Sequence, residues 1–268
     1  MAEYLTNTTD LTKVASAIRA KGGTSDPLVY PDGFASAVAG IKKAPTTPYM
    51  EAEYISDVDP EGNTNHYIDR AKLYNHTTIY AHEFAFQYRL NSLDFSDASN
   101  NITAIEEAAF QGARVNGLVL PNTISELGYN CFNSAYIVTL AVPPLVTVLP
   151  ENAFLYIQPI YNEETGEVLP INIILPQNLT KIGAYCFQGA QIKQITIPDT
   201  VTEIGDGAFS YGGQLASITC LAATPPALGT EAFSSDIAGF TIKVPAASVA
   251  AYKAATNWST YADYIVGV

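Results

Sequence analysis

Basic residues are scarce: Lys and Arg number 13 against 26 Asp and Glu, giving a formal charge of −13. Neutralising a phosphate backbone takes clustered Lys and Arg, so the balance argues against nucleic-acid binding and against docking on anionic lipid. No apolar stretch approaches 20 residues, so no membrane-spanning helix is expected. Met1 to Lys21 lacks an apolar run flanked by basic residues and a small-residue cleavage site. The expectation is a protein made in a cytoplasm and not exported by the usual route. There is no Gly-x-Ser-x-Gly, no phosphate-binding glycine loop and no Cys beside a plausible base, so no enzyme is indicated.

What is present suits a core-forming chain, 48% hydrophobic and 15% charged over 268 residues. Tyrosine is abundant, with 17 copies, and combines an apolar body with a polar tip favoured at recognition surfaces. Residues 1–41 read as helix, loop, helix. Leu11, Val14, Ala15 and Ile18 share one helical face, and Phe34, Ala37, Val38 and Ile41 repeat the spacing after Pro31-Asp32-Gly33. Such a piece is too small for its own core. Residues 42–79 hold a Pro- and Thr-rich linker and a candidate hairpin over Glu51–Asp69, turning at Asp59-Pro60-Glu61-Gly62-Asn63.

The main signal is a repeat over residues 80–268. Six segments follow [IL]-x-x-x-[AC]-F, ending at Phe110, Phe132, Phe154, Phe187, Phe209 and Phe233, with spacings of 22, 22, 33, 22 and 24. After each Phe comes an apolar strand usually closed by Pro: Leu118–Pro121, Leu140–Pro143, Ile173–Pro176, Ile195–Pro198, Ile218–Leu221 and Ile242–Pro245. Phe84 or Phe86 marks a degenerate earlier copy. A period in the low twenties is that of leucine-rich repeats. One unit cannot bury its own Ile, Leu and Phe, but stacked units bury them in a continuous core, with the strands as a parallel ladder. The fold expected is a repeat solenoid: short parallel strands, irregular turn connections, and a C-terminal helical cap at 246–268 in which Ser248 caps a short helix and Val249, Tyr252 and Trp258 cover the last coil.

These units resemble the BspA-like leucine-rich repeats of gut and mouth bacteria and some protists. The Ile-Gly-x-x-Ala-Phe block, the Ile-x-Ile-Pro strand and the terminal Val-Pro-Ala-Ala-Ser-Val-x-x-Tyr-Lys-x-x-x-x-Trp segment carry the likeness. Exported members carry signal peptides and anchor modules, which have no counterpart in this sequence. Asn7–Leu11, Ala17–Thr24 and Phe34–Ile41 resemble the start of phage and prophage tail-associated proteins from Gram-positive hosts. That second resemblance implies a segment attaching a variable module to other virion proteins.

Cys131 and Cys186 occupy the small slot before the core Phe, held by Ala in other units, and Cys220 takes an inward strand slot. They read as buried, inert thiols, and Cys131 and Cys186, about two coils apart, lie beyond disulfide reach. His66, His76 and His82 lie in the least regular segment, without the spacing of a zinc site. Asp57 to Asn63 echoes the opening of a calcium loop, but Ile68 stands where the bidentate Glu is needed. No metal or cofactor is therefore expected. Glu106-Glu107 and Glu163-Glu164 read as solvated pairs.

Three surfaces are left for binding. Strand alternation turns Gly117 and Val119, Thr139 and Ala141, Asn172 and Ile174, Gln194 and Thr196, Ser217 and Thr219, Thr241 and Lys243 outward. This face is nearly uncharged; Thr also suits exposed strands for its own sake, so it reads equally as plain sheet or as binding surface. The 33-residue spacing places an insertion near Gln158–Pro170, whose Ile160–Val168 run reads as a hairpin with Tyr161, Glu163, Glu164 and Glu167 near an acidic tip. Insertions in solenoids often bind, though loop growth also costs little. The third is the pair of N-terminal helices, through Leu11, Val14, Ile18, Phe34, Val38 and Ile41. The lead expectation is a non-enzymatic virion component, with residues 1–41 contacting other virion proteins and the repeats contacting a host surface protein or glycan. The alternatives are a BspA-like interaction protein in the bacterial cytoplasm or at the cell surface and, less supported, an enzyme or metal-binding protein using His66 to Glu83. Homo-oligomerisation is left open.

Overall fold

The computed structural model describes residues 47–58, 64–115, 118–161, 165–233 and 239–268, within a unit running Pro48–Val268. The helices expected in residues 1–41, with their six attachment residues, lie outside the described residues.

The unit opens with an antiparallel hairpin, Tyr49–Val58 against Thr64–Tyr74. Its second strand pairs in parallel with Ser92–Asp94, Arg70 opposite Ser92. Ile68, Ala71 and Leu73 are buried with the repeat core. The hairpin therefore packs on the repeat core as its first layer.

Each coil then makes a short strand, a turn around its core Phe, and a return along another edge. The short strands form two parallel sets. One runs Thr78–Ile79, Ala104–Ile105, Glu126–Leu127; the other runs Val148–Leu149, Lys181–Ile182, Glu203–Ile204, Ala227–Leu228. The turns are laddered as well: Phe84, Phe110, Phe132, Phe154, Phe187 and Phe209 each donate their N–H to a carbonyl of the next coil, at 2.7–2.9 Å. The accepting residue is Ala109, Cys131, Ala153, Cys186, Ala208 or Ala232, the small slot before the next Phe.

Those rings form one column. Successive centroids from Phe84 to Phe209 lie 5.0–5.4 Å apart and within 11° of parallel. Phe233 continues the column at 5.8 Å and meets Trp258 at 5.5 Å. Phe84, not Phe86, is the core residue of the earliest coil, so seven coils share the column. Two left-handed residues flank the core Phe, two positions before and two after. The trailing one is Phe86, Gly112, Ser134, Tyr156, Gly189 or Tyr211. This is the local geometry that turns the chain sharply around each ring.

The long-strand ladder departs from the expected continuity. Among the described residues Thr139–Ala141 pairs only with Asn172–Ile174, while Gln194–Ile197, Ser217–Cys220, Thr241–Val244 and Ile265–Gly267 form a separate parallel set. Leu118 and Leu120 are buried and Val119 exposed, as a strand would have them, yet among the described residues the segment forms no ladder. The insertion precedes the second break, in the coil that ends with the strand Asn172–Ile174. It leaves the coil after Gln158, forms the hairpin Ile160–Tyr161 with Val168–Leu169, and returns at Ile171, whose bridge to Ile192 is the junction between the two sets.

The C-terminal cap differs in one detail. Val249–Ala254 is helical and begins after Ser248, but the Ser248 hydroxyl makes no cap bond and instead donates to the Ala223 carbonyl at 2.7 Å. The helix packs back on the preceding coil, which offers that carbonyl. Tyr252 and Trp258 are fully buried, donating to the Ala222 and Pro226 carbonyls at 2.8 and 2.7 Å. Ile265–Gly267 adds a last parallel strand that the repeat pattern did not foreshadow.

Candidate binding surfaces

The thiols belong to the core. Cys131, Cys186 and Cys220 are free and buried. Burial pushes the Cys131 and Cys220 thiols up to about 12 and the Cys186 thiol well above its ordinary value. The thiolate is the nucleophile, so native protein in mildly alkaline buffer should give no reaction with a disulfide reagent. Unfolding in guanidinium should release all three thiols. A thiol reacting rapidly before unfolding would show that a coil opens.

His76 is a structural clasp. It is buried, with Nδ1 at 3.0 Å from the Tyr74 carbonyl and Nε2 at 3.0 Å from Glu83 Oε1. Glu83 Oε2 accepts the Tyr80 N–H at 2.8 Å, so both residues are committed to holding the first coil. His82 is exposed. Among the described residues no group of three or more His, Cys, Asp or Glu could hold a metal ion. Of the paired carboxylates, Glu106 accepts the Ala81 N–H at 2.9 Å. Glu107 is exposed, and Glu163 and Glu164 lie outside the described residues.

The strand face is where polar groups converge. Asn172, Gln194 and Thr196 are exposed, Thr219 and Lys243 half-buried, and Ile174 stands outward among them. Together with Gln177 and Ser217 they line a groove of about 300 Å³ at the junction of the two strand sets. Ser217 differs from the outward expectation: it lies in register between Gln194 and Thr241 and is buried. Thr241 is half-buried outside this groove, and Gly117 lies outside the described residues. Thr139 and Ala141 line a second, more apolar groove of about 290 Å³ with Val119, at the unladdered segment. Each groove therefore sits at a break in the ladder. Where neighbouring strands are not hydrogen-bonded, the sheet surface parts and its outward side chains line a trough.

The insertion is a hairpin whose Tyr161 and Glu167 are exposed. Arg114 Nη2 donates to the Tyr161 carbonyl at 3.4 Å, tying the hairpin to the preceding edge.

Sequence reasoning missed a further surface. Phe86, Tyr88, Tyr129, Tyr156, Tyr185 and Tyr211 are exposed on or next to the turns. Their signal was available by aligning every coil on its core Phe and reading down each column. Three of these rings recur in one arrangement: Phe86, Tyr156 and Tyr185 each lie where a side chain would project from the equivalent glycine of the next coil, Gly112, Gly189 and Gly207.

Stacked coils, parallel edges and a shared Phe column define a leucine-rich-repeat solenoid. Residues 77–168 and 169–252 match the BspA type leucine rich repeat region, in six copies, and the chain belongs to that family. Repeat modules of this kind typically present surface for binding rather than catalysis. Among solved structures, a leucine rich cell surface protein from Faecalibacterium prausnitzii A2-165 is 17% identical, with a TM-score of 0.21. The match covers 71% of this chain and 56% of that one, so the chain spans little more than half its length. No curated protein matches the chain.

Proposed function

We propose that this chain is a non-enzymatic, adhesion-type binding protein whose repeats hold a host surface protein or glycan. The observation that carries the reading is the groove at the ladder junction. Outward side chains from four coils line one trough there with amides, hydroxyls and a single ammonium. A site made of spaced donors and acceptors, without a nucleophile or acid pair, suits recognition rather than turnover. Combined Gln194→Ala, Thr196→Ala and Thr219→Ala substitutions should weaken binding of labelled protein to host cells by about tenfold or more, with the melting curve unchanged. Undiminished binding would move the site off the strand face.

A second reading keeps the same binding module but places it on a phage or prophage virion. The resemblance of Asn7–Leu11, Ala17–Thr24 and Phe34–Ile41 to tail-associated proteins favours it. Mass spectrometry of purified particles separates the settings: presence in particles, lost on deletion of residues 1–41, supports the virion, and absence leaves the adhesion setting.

A further inference from the structure

The turn face carries a lane that the strand groove does not use. Take the residues one and two positions after each core Phe, over the six coils from Phe84 to Phe209. The first column reads Ala85, Gln111, Asn133, Leu155, Gln188, Ser210; the second reads Phe86, Gly112, Ser134, Tyr156, Gly189, Tyr211. None of these twelve positions is charged, in a chain of net charge −13. The two columns run side by side, because each N–H of the second column up to Gly189 donates to the next coil's first-column carbonyl at 2.7–2.8 Å.

Two features make the lane more than a set of exposed aromatics. The first is close seating on the next coil. Tyr156 holds a left-handed backbone, and its ring fills the space beside Gly189, where an added Cβ would come within 2.2 Å of Cδ1. The ring is positioned by the next coil, yet 48% of the residue stays exposed, and Tyr211, two coils on, is 72% exposed. The second is organised polarity. Ser134 Oγ donates to Asn133 Oδ1 at 2.7 Å, Asn133 Nδ2 to Asn130 Oδ1 at 3.0 Å, and Gln188 Nε2 to Ser210 Oγ at 3.0 Å. Amides and hydroxyls are thus held in place beside the rings.

We propose that this lane binds a neutral polysaccharide, with sugar rings against Tyr156 and Tyr211 and hydroxyls bonded to the Asn133, Ser134 and Gln188 side chains. A pyranose offers a flat array of polarised C–H groups to an aromatic ring and a rim of neutral hydroxyls to amides. A charged partner would leave its charges unmatched in the lane. The two tyrosines lie two coils apart, roughly 10 Å at one strand spacing per coil, so a repeating chain laid along the solenoid meets both. The proposal rests on the binding reading above and narrows it to a second face and one ligand class.

Affinity electrophoresis tests it, with gels containing a neutral β-glucan, a neutral galactomannan or, as a charged control, alginate. The protein should be retarded by at least one neutral polysaccharide and not by alginate. Tyr156→Ala and Tyr211→Ala should each weaken retardation by about tenfold, with unchanged melting curves because both side chains are surface groups. No retardation by either neutral polymer, equal retardation by alginate, or full retardation of both variants would overturn the proposal. The Gln194→Ala, Thr196→Ala, Thr219→Ala variant separates the two readings. It should keep polysaccharide retardation; if it alone loses it, the glycan lies in the strand groove and the lane is not the site.

Discussion

Phe154→Ala is expected to destabilise the protein by about 3–5 kcal/mol, the range for emptying a large aromatic site in a core. Phe154 is fully buried between two parallel rings, 5.4 Å from Phe132 and 5.0 Å from Phe187. The loss has two parts: transfer of the ring, and the cavity left behind. Collapse would relieve the second, but here the coil spacing is fixed by backbone bonds on both sides. Phe132 N–H donates to the Ala153 carbonyl at 2.9 Å, and Phe154 N–H to the Cys186 carbonyl at 2.8 Å. The void therefore stays open. Coils contact only their neighbours, so damage in the middle weakens both adjoining interfaces and should broaden the single unfolding transition. Phe84 tests the logic, because within the column it stacks on one ring, Phe110 at 5.3 Å. Phe84→Ala should cost less than Phe154→Ala in urea denaturation followed by circular dichroism. Equal costs, or a Phe154→Ala loss below about 1 kcal/mol, would mean that the column fills space without coupling the coils.

The column was legible because every coil writes the same register. Phe110, Phe132 and Phe154 recur at 22 residues, and the slot before each core Phe holds Ala109, Cys131, Ala153 and Cys186 in turn, which assigned two of the cysteines without reference to a structure. Strand alternation was legible for the same reason, and it gave Asn172, Gln194 and Thr196 their outward sense. The breaks in the ladder were not legible. Whether Ile174 meets Thr196 depends on how far apart the backbones of the two strands lie, a distance that side-chain periodicity does not encode. Ser217 shows the complementary limit: its face follows from its position in the strand, but its burial depends on longer neighbours from two other coils. Ser248 was read as a helix cap from its residue type, whereas its hydroxyl is drawn to the Ala223 carbonyl by the packing of the helix on another coil. The aromatic lane is hidden differently. Tyr156 and Tyr211 are 55 residues apart in the chain and are aligned only by the stacking of coils, with Gly189 between them.

Two glycines in one coil should respond to alanine in opposite order to that expected from backbone conformation alone. Gly207 has φ +57°, a left-handed value that costs an L-residue about 1–2 kcal/mol. Gly205 lies outside the left-handed region, so conformation alone predicts an easy substitution there. Packing reverses the order. A Cβ at Gly205 would lie 2.5 Å from the Ala184 nitrogen and 2.8 Å from its Cα, both backbone atoms of the preceding coil. Nothing there can rotate away, and moving the coil would strain the bond from Gly205 N–H to the Ile182 carbonyl, now 2.9 Å. A Cβ at Gly207 would meet the ring of Tyr185 at 2.6 Å, and that side chain is exposed and can swing outward. The equivalent left-handed position already holds Ala108, Asn130, Asn152, Tyr185 and Glu231 in other coils, so the turn accepts a side chain. Gly128, Gly183 and Gly229 share the close approach of Gly205, while Tyr80, Glu106 and Pro150 fill that position elsewhere; the constraint therefore belongs to particular coil pairs. Gly205→Ala should cost about 3 kcal/mol, the upper part of the usual overpacking range. Gly207→Ala should stay within about 1 kcal/mol of the parent, since the stiffer unfolded chain offsets part of its conformational cost. Urea midpoints for the two variants measure the difference. If Gly207→Ala proves the more damaging, backbone conformation, not the approach of neighbouring coils, governs where this solenoid needs glycine.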